Sequence, residues 1–336
     1  MAIIIYPKTL DWTYMKQRPQ QLMIELGKLG HTVFFENLNP LDHEYTEVAK
    51  NVFLFSDCQR FINTKLKELR KTQKVVVWTT WSKLRTRIQI FQPDKVVYDC
   101  CDEFPHWAQY EHSMIQVADY VVCTARTIME RISLAYPEKS VSLIPNGADE
   151  AFFTPDKFEK PLDLPSGPIV GYIGAWAYWV DHELITKLSL RFPNVNFVSI
   201  GVPYGDVPNY DDRNNVHILG QKPHDELIKY LQHFDVAIIP FKYHPITLAT
   251  NPVKAYEYLA TGVRVLSTAL PECIHMEPYV TTATTHADFG NKLAYLLSLN
   301  TSDSFKESRI KFARQNTWKI RGMQAHNIIE NLLSNS

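Results

Sequence analysis

The chain has 336 residues, 45% of them apolar, enough to fill two cores of ordinary domain size without disulfide or metal support. Its 35 basic and 36 acidic residues leave a net charge of −1, which argues against bulk attraction to nucleic acid. Cys58, Cys100, Cys101, Cys123 and Cys273 are odd in number and show no CxxC or His-rich spacing, so a reducing compartment is expected rather than a disulfide or zinc framework.

At the start, Ala2–Tyr6 lacks a basic leader and is too short for a signal core or a membrane span, so it reads as a first strand of a cytoplasmic protein. A helix over Pro19–Leu29 follows, then strand-like HTVFFE, KVVVW and KVVYD, a helix near Glu111–Val117, and strands YVVC and VSLIP. That alternation predicts a parallel α/β layer. Pro145-Asn146-Gly147 is a strong turn signal, and the proline-bearing stretch Phe153–Gly167 reads as an interdomain linker. The rhythm then restarts with PIVGYIGA, a helix Asp181–Arg191, VNFVSIG, NVHILG, a helix Asp225–Gln232 and VAIIP. The expected domains are 1–155 and 156–316, with a C-terminal helix within 317–336 returning to the first. Ser308–Gln315 and Trp318–Leu333 are helical by spacing.

Val236–Thr268 carries the chemistry. A buried strand ends at Pro240, a polar loop reaches Asn251 as the expected helix cap, and Pro252 is expected as the first helical residue. Lys254 then falls in the first turn, where the helix dipole disfavours a cation by roughly 0.3–1 kcal/mol. A bound anion would offset that cost. Glu257 follows in the weaker Lys-before-Glu order, so stability alone explains the pair poorly. Thr261-Gly262 closes the helix before the next buried strand, and this places the loop at the carboxyl end of a parallel sheet, where α/β folds bind ligands.

Two α/β domains, the turn IPNGAD and the run FDVAIIPF…NPVKAYEYLATGVRVLST together resemble glycosyltransferases of the GT-B architecture, group one (family four). Within that group the chain looks most like bacterial polysaccharide enzymes of the teichuronic-acid type, through WxxxxQRPQQL at Trp12–Leu22, GYIGAWxxWxDxELI at Gly171–Ile185 and the NPVKxYEYLA helix. The resemblance implies two Rossmann-like domains facing a cleft and a terminal helix crossing back. It also implies a nucleotide-sugar donor, UDP-linked by expectation, on the C-terminal domain, an acceptor on the N-terminal domain, and catalysis without a metal or other cofactor. Two departures stand out. Members usually carry two glutamates separated by seven residues; Glu257 matches the second, but Ala249 occupies the first position. The usual Arg/Lys pair that holds diphosphate is replaced by Ala175-Trp176, which leaves part of that task to Lys254. Retention or inversion stays open.

Each candidate has a plainer alternative. As donor-side residues, Glu257 would accept the ribose hydroxyls and Lys254 would neutralise diphosphate charge as it builds on the leaving group; the alternatives are a solvated glutamate and a surface lysine. Asn251 reads chiefly as a cap whose backbone touches ligand. Gly174 allows close approach to backbone, Trp176 could wall a sugar or base, and the resemblance suggests Gly220 through Lys222 for backbone contacts to the base. As catalytic groups, Asp102 and then Asp99 follow a strand in YDCCDEF, with Glu103 and His106 as weaker alternatives; a carboxylate there would deprotonate or orient an acceptor hydroxyl. Trp12, Gln17 and Arg18 are the acceptor-side candidates, against loop packing and an ion pair. His31 reads as structural. The basic segment 60–74 could meet anionic lipid or be a solvated helix.

The resulting expectation is a transferase moving sugar from a nucleotide diphosphate to a polysaccharide or glycolipid of the cell surface. A non-hydrolysing nucleotide-sugar epimerase and a non-catalytic nucleotide-sugar-binding protein are the alternative readings.

Overall fold

A computed structural model describes residues 1–208, 210–299 and 304–334 and divides into two compact units. Unit 1 is Met1–Asn146 with Trp318–Ser336, and unit 2 is Gly147–Thr317. The first boundary therefore lies at 146/147 rather than at 155. Asn335 and Ser336, included in the expected terminal helix, lie outside the described residues.

Unit 1 is built on strands β1 (Ile3–Tyr6), β2 (Thr32–Glu36), β3 (Thr46–Ala49), β4 (Val52–Phe55), β5 (Val75–Thr79), β6 (Lys95–Cys100), β7 (Tyr120–Cys123) and β8 (Val141–Leu143). Their order across the sheet is β3-β4-β2-β1-β5-β6-β7-β8, parallel throughout except for the antiparallel edge pair β3–β4. Central strands such as Val75–Thr79 are buried along their whole length, as a sheet covered on both faces requires. Helix α1 (Arg18–Lys28) begins one residue earlier than the pattern predicts, and α2 (Pro105–Val117) begins six residues earlier because Pro105 supplies a good first helical residue. Helix α3 (Arg126–Ala135) covers β7 and β8. The 58–69 stretch is helical with a π-type turn at Ile62–Leu66.

Unit 2 has β9 (Ile169–Ile173), β10 (Trp176–Ala177), helix α4 (His182–Arg191), β11 (Asn196–Ile200), β12 (Pro203–Tyr204), β13 (Val216–Ile218), β14 (Val236–Ile239), helix α5 (Val253–Thr261), β15 (Arg264–Thr268), β16 (Val280–Ala283), helix α6 (His286–Ser298) and helix α7 (Lys306–Arg314). Six strands form a parallel sheet in the order β13-β11-β9-β14-β15-β16. Asp181 caps α4 as its sequence position predicts, its side chain accepting from the Leu184 N–H at 2.9 Å. Gly262 ends α5 with a left-handed φ of +75°.

Phe153–Gly167 is not a free linker. Phe158 N–H donates to Gln232 Oε1 at 3.1 Å, Asp163 binds Lys222 and Tyr230, and Leu164 is buried, so the segment straps onto unit 2. The two ends of unit 2 meet where Ala148 N–H donates to Asn316 O at 2.8 Å. Helix α8 (Trp318–Ser334) then packs on α1 in unit 1, where a Cβ on Gly322 would come within 2.3 Å of Glu25 Cβ. Among the described residues no helix is long and apolar enough to cross a membrane.

Candidate functional site

In unit 2 the carboxyl ends of β9 and β14 and the start of α5 converge on one ammonium group. Lys254 Nζ lies 4.7 Å from the Phe241 ring centroid and 5.4 Å from that of Tyr172, and it makes no hydrogen bond or salt bridge among the described residues. Burial pushes this ammonium down to about 8, with Glu257 partly opposing the shift. The rings supply cation–π attraction but no hydrogen-bond acceptor. Gly174, directly after β9, has φ +147°, and a Cβ there would stand 2.9 Å from both Lys254 Cε and the Tyr172 hydroxyl. The close approach expected at Gly174 is thus to the lysine stem. Tyr258 ties α5 to the end of β9 by accepting from Ile173 N–H at 2.7 Å.

Helix α5 begins at Val253, one residue later than expected, with Pro252 at the cap position and no side-chain cap. Asn251 is not the cap. Its amide donates to Glu272 Oε2 at 2.9 Å and to the Tyr256 hydroxyl at 3.1 Å, which fixes the loop before the helix. Glu257 is buried rather than solvated, and its Oε1 accepts from His224 Nε2 at 3.0 Å.

One donor-side expectation is overturned by packing. Trp176 sits in the core with ring centroids 4.8 Å from His182 and 6.0 Å from Tyr210, so it cannot wall a ligand. The Lys222 ammonium is held 2.6 Å from Asp163 and lies over the Tyr230 ring. Gly220, in the loop after β13 with φ +71° and open space where a Cβ would be, accepts from Gly201 N–H at 2.9 Å.

In unit 1, Asp99 and Arg18 are not separate catalytic and acceptor-side groups. They form one buried pair: Arg18 Nε donates at 2.8 Å to Asp99 Oδ2, which also accepts from Trp78 Nε1 at 3.0 Å. Arg18 Nη1 reaches Asn146 Oδ1 at 3.2 Å, tying α1 to the end of the first segment of unit 1. Asp102, in the loop after β6, is half-buried, and burial pushes its carboxyl up to about 6 against the lowering effects of the Cys101 thiol and Arg18. A carboxylate tuned toward neutrality suits general-base work. Glu103 is engaged by Arg131 at 2.5 Å. Trp12 lies edge-on to Phe35 at 5.0 Å while its backbone N–H donates to Asn37 Oδ1 at 2.8 Å. Gln17 is exposed at the start of α1, its N–H donating to Gln20 Oε1 at 3.1 Å.

No family model matches the chain. Over 350 aligned residues it is 24% identical to the protein named teichuronic acid biosynthesis glycosyltransferase TuaH of Bacillus subtilis, covering 93% of this chain and 83% of the relative. The sucrose-phosphate synthase of Thermosynechococcus elongatus superposes with a TM-score of 0.74 at 15% identity, covering 100% of both chains. The chain has the GT-B fold. HepE of Anabaena, solved in complex with UDP and glucose, has the same fold with a TM-score of 0.67 at 13% identity, covering 97% of this chain and 99% of HepE.

Among the described residues, one trio has metal-ligand spacing: His31, His326 and Glu330 in unit 1. His31 Nδ1 accepts from Ala2 N–H at 3.1 Å, and burial first, then His326, lower its pKa to about 4, so the neutral ring carries its proton on Nε2. That proton faces His326 Nδ1 at 2.9 Å. Both His31 nitrogens are thereby committed, and the trio reads as a hydrogen-bonded brace. The residues missed from sequence are Tyr172, Phe241 and His224. The turn Pro223-His224 follows the strand NVHIL, but nothing local shows that its ring reaches a helix 33 positions later.

Proposed function

We propose that this glycosyltransferase moves a sugar from UDP to a saccharide or lipid-linked acceptor used in cell-surface glycan synthesis, with the donor on unit 2 and the acceptor on unit 1. The observation that carries the reading is Lys254: a partnerless ammonium, held against Tyr172 and Phe241, at the uncapped start of α5. An anion supplies what that group lacks, and the helix amides attract the same charge. The UDP and glucose of HepE, and the biosynthetic process in the name of TuaH, agree with the donor and acceptor classes.

The proposed mechanism is electrostatic and needs no metal or other cofactor. As the anomeric C–O bond lengthens, charge grows on the β-phosphate and Lys254 neutralises it, an interaction stronger in the transition state than in the ground state. Glu257 holds the ribose, Gly220 presents backbone to the base, and Asp102 takes or orients the proton of the acceptor hydroxyl. The donor assigns the reaction to the cytoplasm. Lys67 and Lys71 are exposed, Lys65 is half-exposed, and none is in an ion pair among the described residues, so this segment is proposed to rest on anionic lipid. Co-sedimentation with phosphatidylglycerol vesicles tests that contact, which lapses if the triple alanine variant binds equally.

The donor assignment is tested by titrating the full chain with UDP. Binding that raises Tm, and that falls in both Lys254→Ala and Glu257→Ala, supports it. Undiminished binding in both variants overturns it.

A further inference from the structure

Lys254 and Glu257 lie three residues apart on α5, a spacing at which an ammonium and a carboxylate meet on a helix surface, yet no salt bridge joins them. The carboxylate is drawn the other way. His224 Nε2 stands 3.0 Å from Glu257 Oε1, and the imidazole is itself set by an edge contact with Phe152 at 5.4 Å between ring centroids. Glu257 Oε2 accepts no hydrogen bond among the described residues, although the residue is buried. One oxygen of the carboxylate is thus engaged, and the other is left open to a ligand.

We infer that His224 is a positioning residue for the donor: it holds Glu257 by Oε1, keeps the carboxylate off the Lys254 ammonium, and leaves Oε2 aimed for a vicinal diol, the ribose of a nucleotide. This rests on the donor reading given above and deepens it. The arrangement divides the labour of α5, with Lys254 free for the diphosphate and Glu257 free for the sugar ring of the nucleoside. It also joins two recognition elements. His224 opens the short turn His224–Glu226 that follows the Gly220–Pro223 loop, so the loop proposed to face the base and the carboxylate proposed to face the ribose are linked by one hydrogen bond. Without the imidazole, the carboxylate is free to swing toward the ammonium, and both groups lose their ligand-ready geometry together.

The test is isothermal titration of the full chain, wild type, His224→Ala and His224→Gln, with UDP and with 2′,3′-dideoxy-UDP. Glutamine keeps an N–H donor close to the position of Nε2. The expected result is that His224→Ala weakens UDP about tenfold, leaves dideoxy-UDP within about twofold, and is largely restored by His224→Gln, with ligand-free Tm values alike. Loss of both ligands in parallel, with no recovery by glutamine, identifies a merely structural histidine and overturns the inference. So does wild-type protein that binds UDP and dideoxy-UDP equally, or His224→Ala that binds UDP as wild type does. Wild-type protein that binds no UDP overturns the donor reading itself and the inference with it.

Discussion

The Arg18 guanidinium grips both carboxylate oxygens of Asp99, with Nε 2.8 Å from Oδ2 and Nη2 2.9 Å from Oδ1, and both side chains are withdrawn from water. The pair joins the start of α1 to the centre of the unit 1 sheet and, through Asn146, to the turn at the end of β8. Its geometry is bidentate, and the Trp78 indole satisfies a further lone pair of Asp99, so the desolvation of both charges is offset.

Breaking this pair leaves a buried charge alone. Arg18→Met or Asp99→Leu by itself is expected to cost about 3–5 kcal/mol in urea unfolding, while the double variant costs much less because no unpaired charge remains. Equal losses in the single and double variants count against a coupled pair.

Under the proposed mechanism, Asp102 is expected to govern the acid limb of activity. With its carboxyl pushed up to about 6, the base form is depleted below that pH, so kcat is expected to rise as pH passes through about 6 and to flatten above. Asp102→Asn is expected to lower kcat by about 10²–10⁴ while UDP binding persists. The stability sign is opposite to that of a salt-bridged carboxylate. A folded-state pKa above the ordinary value of 3.8 means the native protein holds the proton more tightly, so the contribution is present at acid pH and is lost as pH rises from near 4 through about 6. Asp102→Asn should therefore raise Tm at pH 7, and an unchanged Tm counts against the burial argument.

Lys254 is costly without ligand. Its pKa is lowered from 10.5 to about 8, so the native state holds this proton less tightly than the unfolded chain, and ligand-free stability rises as pH increases from about 8 toward 10.5. At pH 7, Lys254→Met is expected to stabilise the ligand-free protein by on the order of 1 kcal/mol and to abolish UDP binding. In the wild type, UDP affinity falls as pH rises above about 8, since binding favours the protonated ammonium. A flat affinity profile across that range removes Lys254 from the anion site.

Gly174 sets the lysine stem. Gly174→Ala forces a Cβ to 2.9 Å from Lys254 Cε at a φ of +147°, so roughly 1–3 kcal/mol of stability should be lost and UDP affinity should fall with it. Unaltered affinity in a folded variant would show that the ammonium position is tolerant.

The α/β rhythm was legible because the central strands are unbroken apolar runs, as in Val75–Thr79 and Val236–Ile239. Of the strands that were missed, β4 (VFLF) carries that signature, whereas β3 and β16 lack it. β3 (TEVA) lies at an edge and is nowhere fully buried, and β16 (VTTA) is half threonine, so their pairing depends on neighbours rather than on local pattern. The same division applies to the site. Lys254, Glu257 and Gly174 were candidates from helix position, resemblance and backbone freedom, and the structure brings Gly174 against the Lys254 stem. Their partners Phe241, Tyr172 and His224 were not, since their contacts close only when β9, β13 and β14 are side by side. Trp176 misled for the converse reason: an aromatic residue in loop sequence found its packing partners inside unit 2, among them His182 and Tyr210.

Unit 2 is threaded into unit 1 as a single insertion whose ends meet at Ala148 and Asn316, and α8 supplies the surface that α1 needs only after that insertion is complete. During vectorial synthesis unit 2 can therefore mature on the ribosome while the first segment of unit 1 waits, its α1 flank bare, for the seventeen residues of α8 to emerge. What is translated before the insertion is thus sealed only by a segment translated after it.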